Sequence, residues 1–286
     1  MSFDVPNSRD ALPPTGRKTL ANLAPTTSER LHPLPRTRIP CATGAPVPAM
    51  RGYDLWNDYE VEWLDMHNHP QVAVVEIVIP CHSPYTLEMS DARRYFSALR
   101  DVRFETAQAL ESHIAQVLSE ALQTYVLIRT TPIRQAIRVP HVGTPGAINL
   151  DMERVEVVRG GVQPALLRMA QEAGDLTNAA SHACFSSDLL SLHCPLTGGI
   201  DHGTIRIDYT GPRLCHRSLL AYVLSFRDSA MLHEQCVETC FADLIERCAP
   251  TRLIVGARFT RRHGLDINPV RSTHAVAIHN LRTVRQ

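Results

Sequence analysis

The segment from Cys194 to Asp201 carries a thiol and a carboxyl seven residues apart. The residues between them favour a turn, and residues 204–209 alternate apolar and polar side chains as a strand does. A turn that leads into a strand can present both groups to one substrate atom. A thiolate can act as the nucleophile and a carboxyl as its proton donor. We therefore predict a nucleophile at Cys194 and an acid at Asp201; the alternative is a structural Cys beside a turn Asp.

Two more polar residues, His233 and Glu234, open a segment whose apolar residues Val237 and Phe241 have helical spacing. A carboxylate can accept two parallel hydrogen bonds from a ligand that presents two donors. The pair thus adds an imidazole and a second carboxylate to the candidate site. The alternative is an exposed helix start with charged residues, which this segment alone does not exclude.

The eight cysteines are irregularly spaced over 286 residues, unlike the disulfide framework of a small secreted protein. Cys236 and Cys240 lie one helical turn apart, with His233 one turn earlier, but a fourth ligand is not apparent. We therefore predict no metal site. Whether Cys194 and Cys236 can form a disulfide stays open, because the sequence does not give their distance.

The composition is that of a globular protein with balanced charge. Lys+Arg and Asp+Glu both number 29, which disfavours a protein that coats nucleic acid. No apolar run has the length of a membrane span, and no signal peptide is recognisable. We therefore expect a cytosolic protein with reduced thiols that contacts neither membrane nor nucleic acid directly. There is no Walker loop and no Gly-x-Gly-x-x-Gly, so a nicotinamide cofactor would bind in a non-Rossmann manner.

The chain changes character near residue 50. Residues 1–50 contain nine prolines and no hydrophobic periodicity, which predicts an extended arm, although residues 32–36 could still pack on the body. Further on, the patterns predict two strands and two helices, at residues 71–79, 90–99, 107–122 and 125–130.

An internal repeat underlies this pattern. The apolar stripe of the helix at 107–122 recurs 127 residues later, and the flanking loop and strand recur at the same offset. Any two amphipathic helices can look alike by chance. A constant offset across helix, loop and strand makes that explanation less favourable than a duplication. The sequence thus predicts a duplicated strand–strand–helix–helix unit.

The sequence Cys-Pro-x-Thr-Gly-x-x-Asp at 194–201, the His-Glu pair at 233–234 and the segment 261–269 together resemble one known family. It is the QueF family, the NADPH-dependent 7-cyano-7-deazaguanine reductases, in its long two-module form. The resemblance extends from about residue 52 to the C-terminus and is densest from Cys194 to Ser272.

The resemblance implies an α+β fold of two tandem tunnelling-fold (T-fold) modules. Each module is an antiparallel sheet with two helices on one face, and the active site lies between the modules. With the Pro-rich arm at 1–50, the first module takes residues 51–142, and the second, which carries the nucleophile, takes residues 143–286. A homodimer is expected.

The resemblance also implies roles for residues. Cys194 forms a covalent thioimide with the substrate nitrile, Asp201 protonates its nitrogen, and His233 assists proton transfer and contacts the substrate. Glu88 and Glu234 hold the heterocycle. The positions that match those holding NADPH in the family are Met89, Ser90, Arg262 and His263.

The chain departs from the family pattern mainly on the cofactor side. Residues 88–95 stand where the family has Glu-Ser/Leu-Lys-Ser-x-Lys-apolar-Tyr, so that Ser90 replaces a Lys and Asp91 replaces a Ser. Losing the Lys removes a charged hydrogen bond worth about 1.5–3 kcal/mol. Asp91 adds negative charge near the expected phosphates, and His263, in place of a Gly, could block a backbone approach. Arg94 is an extra cation that could compensate.

These residues and the resemblance leave three alternative functions. The first is a nitrile reductase that converts 7-cyano-7-deazaguanine to 7-aminomethyl-7-deazaguanine, a precursor of queuosine in tRNA. The second is a non-reducing thioimide enzyme, in which water or an amine releases an amide or amidine. The third is a non-catalytic purine-binding T-fold module, which requires that all the chemical residues be kept for no chemistry.

Overall fold

The computed structural model describes residues 31–36, 49–136, 146–173, 181–283 and 285–286. Within these ranges the strands are, in chain order, β1 (Pro33–Pro35), β2 (Arg51–Leu64), β3 (Pro70–Pro80), β4 (Tyr85–Leu87), β5 (Leu127–Pro132), β6 (Ile148–Asn149), β7 (Ser181–His193), β8 (Ile200–Gly211), β9 (Arg252–Phe259) and β10 (Leu265–Ser272). The α-helices are α1 (Met89–Ala98), α2 (Ala107–Leu122), α3 (Ile133–Ala136), α4 (His216–Ser225) and α5 (His233–Cys248).

Eight of the strands form one sheet in the order β5-β3-β2-β10-β9-β8-β7-β6. All neighbours are antiparallel except β6, which runs parallel to β7. Near its centre, β10 pairs with β2 over eight residues, from Leu265 opposite Asp58 to Ser272 opposite Arg51. Because β2 opens the first unit and β10 ends the second, this pairing joins the two units into one sheet.

Each unit packs two long helices on one face of its part of the sheet. In the first, Leu110, Ile114 and Leu118 of α2 are buried in a core with the inward side chains of β2 and β3. In the second, Val237 and Phe241 of α5 are buried against β8 and β9. Both stripes have the i, i+4 spacing of a helix with one apolar face. The predicted α+β class, with antiparallel sheets each backed by two helices, is confirmed.

The two units differ by one residue where their second helices begin. Helices α1 and α4 start 127 residues apart, but α5 starts only 126 residues after α2. The start of α2 is capped by Thr106, whose side chain accepts a hydrogen bond from the backbone N of Ala109 at 3.0 Å. No side-chain cap precedes α5; its first two residues are His233 and Glu234. The second unit thus has polar site residues where the first has a structural cap.

The helices and strands lie close to their predicted positions. The helix predicted at 107–122 has these bounds. The other three predicted elements differ from the observed ones by one or two residues at each end. The boundary at residues 142 and 143 stays a prediction, because residues 137–145 lie outside the described ranges. No helix in the described residues combines the length and apolar character needed to cross a lipid bilayer.

A short N-terminal segment, Leu31–Arg36, packs on the first unit. Its strand β1 pairs antiparallel with β4, and Leu31 is buried in the core of the first unit. The possibility that residues 32–36 pack on the body is therefore realised in the structure. The rest of the predicted arm, apart from residues 49–50, lies outside the described residues.

Candidate active site

Cys194 follows the last residue of β7 and begins the turn that leads into β8. Its backbone N donates to the carbonyl of Gly199 at 2.8 Å, and the N of Gly198 donates to the carbonyl of Cys194 at 2.8 Å. Gly198 has φ +68°, a conformation that suits glycine. These bonds fix a tight turn that brings half-buried Cys194 towards Asp201, the second residue of β8.

The end of β7 is also tied to the segment that leads into α5. The N of His193 donates to the carbonyl of Ser229 at 2.9 Å, and the N of Met231 donates to the carbonyl of His193 at 3.1 Å. This parallel pairing positions the start of α5, and hence His233, beside the turn that carries Cys194.

Asp201 is buried between two nitrogen-bearing side chains. One carboxylate oxygen lies 3.2 Å from Nε2 of His233, and the other lies 2.9 Å from Nη2 of Arg262. The His233 approach has the distance of an ion pair but not the angles of a hydrogen bond, so we treat it as an electrostatic contact. The His233 ring stacks flat on Phe259, with centroids 3.9 Å apart and an angle of 10° between planes. Phe259 thereby holds the imidazole beside the carboxyl.

Glu234 is held from the other unit. The hydroxyl of Thr86, on β4, donates to Oε1 of Glu234 at 2.7 Å, and both residues are buried. Glu88 follows directly after β4, and the hydroxyl of Ser90 donates to its Oε1 at 2.6 Å. The two carboxylates predicted to hold a heterocycle therefore come from different units.

These residues line one cavity of about 310 Å³ between the units. Its wall includes every residue that the sequence predicted for catalysis, substrate or cofactor: Cys194, Asp201, His233, Glu88, Glu234, Met89, Ser90, Arg262 and His263. A second cavity, of about 320 Å³, opens on the other face of the sheet and contains none of them. Convergence of a thiol, a carboxyl, an imidazole and two more carboxylates makes the first cavity the candidate active site.

The structure changes the interpretation of Asp91. This residue is 3% exposed and does not line the cavity. Its carboxylate accepts hydrogen bonds from the backbone N and the ring Nδ1 of His32, at 3.1 and 2.9 Å, and pairs with Arg94. Burial raises the pKa of Asp91, but the His32 hydrogen bonds and Arg94 lower it more. The repulsion expected between Asp91 and a cofactor phosphate is therefore largely compensated. Arg94 neutralises Asp91 and is not an extra cation for the cofactor.

The other cofactor-side positions stay in the wall. His263 has φ +50° in the turn between β9 and β10, a left-handed conformation that costs a non-glycine residue some strain. Arg93 contacts Asp58 at 3.2 Å and Glu60 at 2.8 Å. Arg262, predicted as a cofactor residue, pairs with Asp201.

Cys236 is completely buried, and burial raises the pKa of its thiol. A thiol held protonated in an apolar core is a poor partner for disulfide exchange or for a metal. Both Cys194 and Cys236 are free in this structure. The disulfide that the sequence left open is therefore not formed here.

The sequence analysis did not identify three supporting residues: Thr86, Phe259 and Arg36. Thr86 and Phe259 have no motif of their own and are recognised only by their contacts with Glu234 and His233. Arg36, which pairs with Asp54 of β2 and lies 3.5 Å from Glu238 of α5, had a weak signal, because it ends the segment 32–36 that could pack on the body.

Comparisons with known proteins identify the family of the chain. One family model, "Nitrile reductase, 7-cyano-7-deazaguanine-reductase N-term", matches residues 26–130, and another, "QueF-like protein", matches residues 200–277. An NADPH-dependent 7-cyano-7-deazaguanine reductase from Polaromonas naphthalenivorans (strain CJ2) is 35% identical over 265 residues, covering 90% of this chain and 92% of the relative. One from Coxiella burnetii (strain Dugway 5J108-111) is 36% identical over 240 residues, covering 84% and 83%.

A solved structure described as the archaeosine synthase QueF-Like in the apo form covers 35% of this chain and 99% of its own, at a TM-score of 0.31 and 16% identity. At that score it adds nothing to the description of the fold. The two family models and the relatives of similar length are sufficient: this chain belongs to the QueF family of nitrile reductases.

Proposed function

We propose that this protein is an NADPH-dependent nitrile reductase that converts 7-cyano-7-deazaguanine to 7-aminomethyl-7-deazaguanine, a queuosine precursor. The observation that carries the proposal is the shared cavity, whose wall holds Cys194 together with Asp201, His233 and Glu234. The relatives are named for this activity, and the matches cover 92% and 83% of their length. The geometry supplies a nucleophile, an acid and a recognition group for the reaction.

The first step is addition of Cys194 to the nitrile. The thiolate sulfur of Cys194 forms a bond to the nitrile carbon, one π bond of the triple bond breaks, and the nitrogen takes one proton, which gives a thioimide. Asp201 is the proton donor, and its contacts with His233 and Arg262 hold its carboxyl towards the cavity. His233, beside Asp201, can return a proton to this carboxyl after it has donated one.

Reduction of the thioimide then requires two hydrides on carbon, one further proton on nitrogen, and loss of the sulfur as a thiolate, which leaves Cys194 free again. NADPH, when bound, would supply the hydrides, one from each of two molecules. Asp201 and His233, which lie 3.2 Å apart in the cavity wall, are the groups proposed to deliver the proton. The overall change, one nitrile plus two NADPH and two protons to one amine and two NADP⁺, balances.

The donor set in the cavity wall fits an anionic nucleotide. Ser90 offers a hydroxyl, His263 an imidazole, and Arg262 and Arg93 offer guanidinium groups, which match phosphate geometry. Each guanidinium also contacts carboxylates of the protein, which limits its net attraction for phosphate. The residues thus fit NADPH, with affinity expected to be lower than where a Lys replaces Ser90.

Competition between protein carboxylates and phosphate for these guanidinium groups also favours a second candidate function. It is a thioimide enzyme that does not reduce its substrate. In it, water adds to the thioimide carbon and the sulfur leaves, which gives an amide; an amine in place of water gives an amidine. Arg262 pairs with Asp201 and Ser90 donates to Glu88, so two of the four cofactor positions are occupied within the protein. A purely purine-binding module is disfavoured, because it gives no reason for the buried Asp201–His233 pair beside a thiol.

One incubation distinguishes these functions. The protein is mixed with 7-cyano-7-deazaguanine with and without NADPH, and both protein and small molecule are weighed by mass spectrometry. A reductase gives a protein adduct without NADPH, and with NADPH gives the amine and NADPH oxidation. An adduct followed by amide or amidine, without NADPH oxidation, supports the second candidate. Reversible binding without an adduct would leave only the purine-binding module.

The protein is further proposed to act in the cytoplasm as a homodimer, without a nucleic-acid or membrane partner. The balanced charge supports the absence of a nucleic-acid partner. Among the described residues, the terminal strands of the eight-stranded sheet, β5 and β6, each pair along one edge, and an edge strand of this kind can pair with another chain, which supports association.

Glu234→Ala is expected to weaken binding of 7-cyano-7-deazaguanine by about tenfold to a hundredfold, because donors of the base would be buried unpaired. A nitrile without the amino-pyrimidinone edge should lose little affinity. Calorimetric titration in the Cys194→Ala protein measures both without covalent capture. Glu120→Ala, an exposed Glu on α2, serves as the control and should bind as the parent does. Equal weakening of both ligands would refute a specific recognition role.

Ser90→Lys is expected to tighten NADPH binding by about one to two decades, since it adds a charged hydrogen bond in the cavity wall. Asp91→Ser should add no further gain, because His32 and Arg94 already compensate this carboxylate. NADPH fluorescence titration gives the affinities. Ser112→Lys, which adds the same charge at an exposed position on α2, is the control. An unchanged affinity in Ser90→Lys would mean that Arg93 and Arg262 suffice.

A further inference from the structure

The N-terminal segment Leu31–Arg36 reaches the substrate side of the cavity through β4. In the pairing of β1 with β4, Leu34 lies opposite Thr86, the residue whose hydroxyl donates to Glu234. The backbone N of Arg36 donates to the carbonyl of Pro84 at 2.9 Å, which fixes the end of the segment beside the start of β4. The segment therefore supports the strand that holds Glu234.

The side chain of Arg36 enters a buried cluster of charges between the units. It pairs with Asp54 of β2 and lies 3.5 Å from Glu238 of α5. The second cation of the cluster, Arg271 of β10, contacts Asp54 and Glu238 at 2.7 Å each. Arg36 and Asp54 expose 9% and 0% of their side chains, so water screens these charges weakly. Two cations and two carboxylates balance.

Glu234 lies one helical turn before Glu238 on α5, and its negative charge raises the pKa of Arg36. Burial lowers the pKa of Arg36, but Asp54 and then Glu234 raise it more, so that the pKa is raised overall. Without Arg36, Asp54 and Glu238 would have one ion-pair partner left within the described residues, Arg271. An uncompensated buried carboxylate either takes up a proton or moves towards water.

We propose that Arg36 is a positioning residue for substrate recognition: from outside the cavity, its guanidinium ties Asp54 of β2 to Glu238 of α5 and so keeps Glu234 in place to receive the base. This inference rests on the proposed function, because it assumes that Glu234 binds the guanine-like edge. Arg36 is not in the cavity wall and cannot touch the substrate itself. It acts through Glu234, so its effect should depend on the Glu234 charge.

A double-mutant cycle tests this dependence. Equilibrium binding of 7-cyano-7-deazaguanine is measured by calorimetry in the Cys194→Ala protein, alone and with Arg36→Met, Glu234→Gln, or both. Arg36→Met should weaken binding about tenfold when Glu234 is present, and less than about twofold in the Glu234→Gln background. In the enzyme with Cys194 intact, Arg36→Met should raise KM while the rate of adduct formation at saturating substrate changes little.

Leu31→Ala is the matched control, because it loosens the same segment but keeps the charge of Arg36. It should lower Tm and leave substrate affinity unchanged. If Arg36→Met does not fold, Arg36→Lys is used; it keeps a cation, so its smaller loss of affinity should again disappear in the Glu234→Gln background.

Two results would overturn the inference: the same loss of affinity in both Glu234 backgrounds, or an equal loss in Leu31→Ala. Either would make the segment a purely structural element. Failure of the parent Cys194→Ala protein to bind 7-cyano-7-deazaguanine at all would instead overturn the proposed function, so the two failures are distinguishable.

Discussion

Cys194→Ala is expected to abolish the covalent adduct with 7-cyano-7-deazaguanine completely. Within the described residues, Cys194 is the only thiol that lines the cavity. Three other cysteines of the second unit are buried, and burial raises their pKa, so they stay protonated and unreactive: Cys236, Cys240 and Cys248. Intact-mass analysis after incubation without NADPH should show one adduct on the parent and none on the variant.

The control for this loss is Cys215→Ala. Cys215 is half-buried like Cys194 but precedes α4, outside the cavity. Its replacement should leave the adduct unchanged. Peptide mapping of the parent should place the added mass on Cys194. An adduct that persists in Cys194→Ala, or that maps to Cys184 or Cys215, would contradict the assignment of the nucleophile.

Asp201→Asn is expected to slow adduct formation by about 10²- to 10⁴-fold at saturating substrate, the range typical of a lost general acid. The nitrile nitrogen must be protonated as sulfur adds to carbon, and an amide cannot give that proton. The change also replaces the carboxylate that contacts His233 and Arg262. Rapid mixing followed by quenching and mass analysis gives the rate of adduct formation directly, separate from any reduction.

Asp208→Asn provides the comparison on the same strand. Asp208 lies on β8 like Asp201 but faces the other side of the sheet, where it contacts His182 at 3.0 Å. This variant should form adduct at the parental rate. Normal adduct formation by Asp201→Asn followed by stalled turnover would move Asp201 from the addition step to reduction or release.

The local parts of the fold and site were predictable from sequence because they depend on neighbouring residues. The helix at 107–122 follows from an apolar stripe with helical spacing. The hairpin of β7 and β8 brings Cys194 and Asp201 to the wall of one cavity, because a Pro- and Gly-rich turn between strands leaves few geometries. The α+β class follows from the same alternation of strand and helix patterns.

The contacts that complete the site were not predictable, because they join distant parts of the chain. Thr86 and Glu234 are 148 residues apart, and no period in the sequence indicates that they meet. Asp91 looked like a charge facing the cofactor, but the sequence could not show that His32, 59 residues earlier, binds its carboxylate. Arg262 matched a cofactor position by resemblance, and only the structure shows that it pairs with Asp201.

The pairing of β2 with β10 affects how the chain folds during its synthesis. Asn57 and Asp266 are ladder partners and hydrogen-bonded at 2.8 Å, although 209 residues separate them. During synthesis, β2 emerges early and must wait for almost the whole polypeptide before this neighbour exists. Loop closure over such a distance makes folding slow, and one edge of β2 stays open to wrong partners meanwhile. Since β10 also supplies Ile267 to the cavity wall, a nascent or C-terminally truncated chain has no complete catalytic pocket.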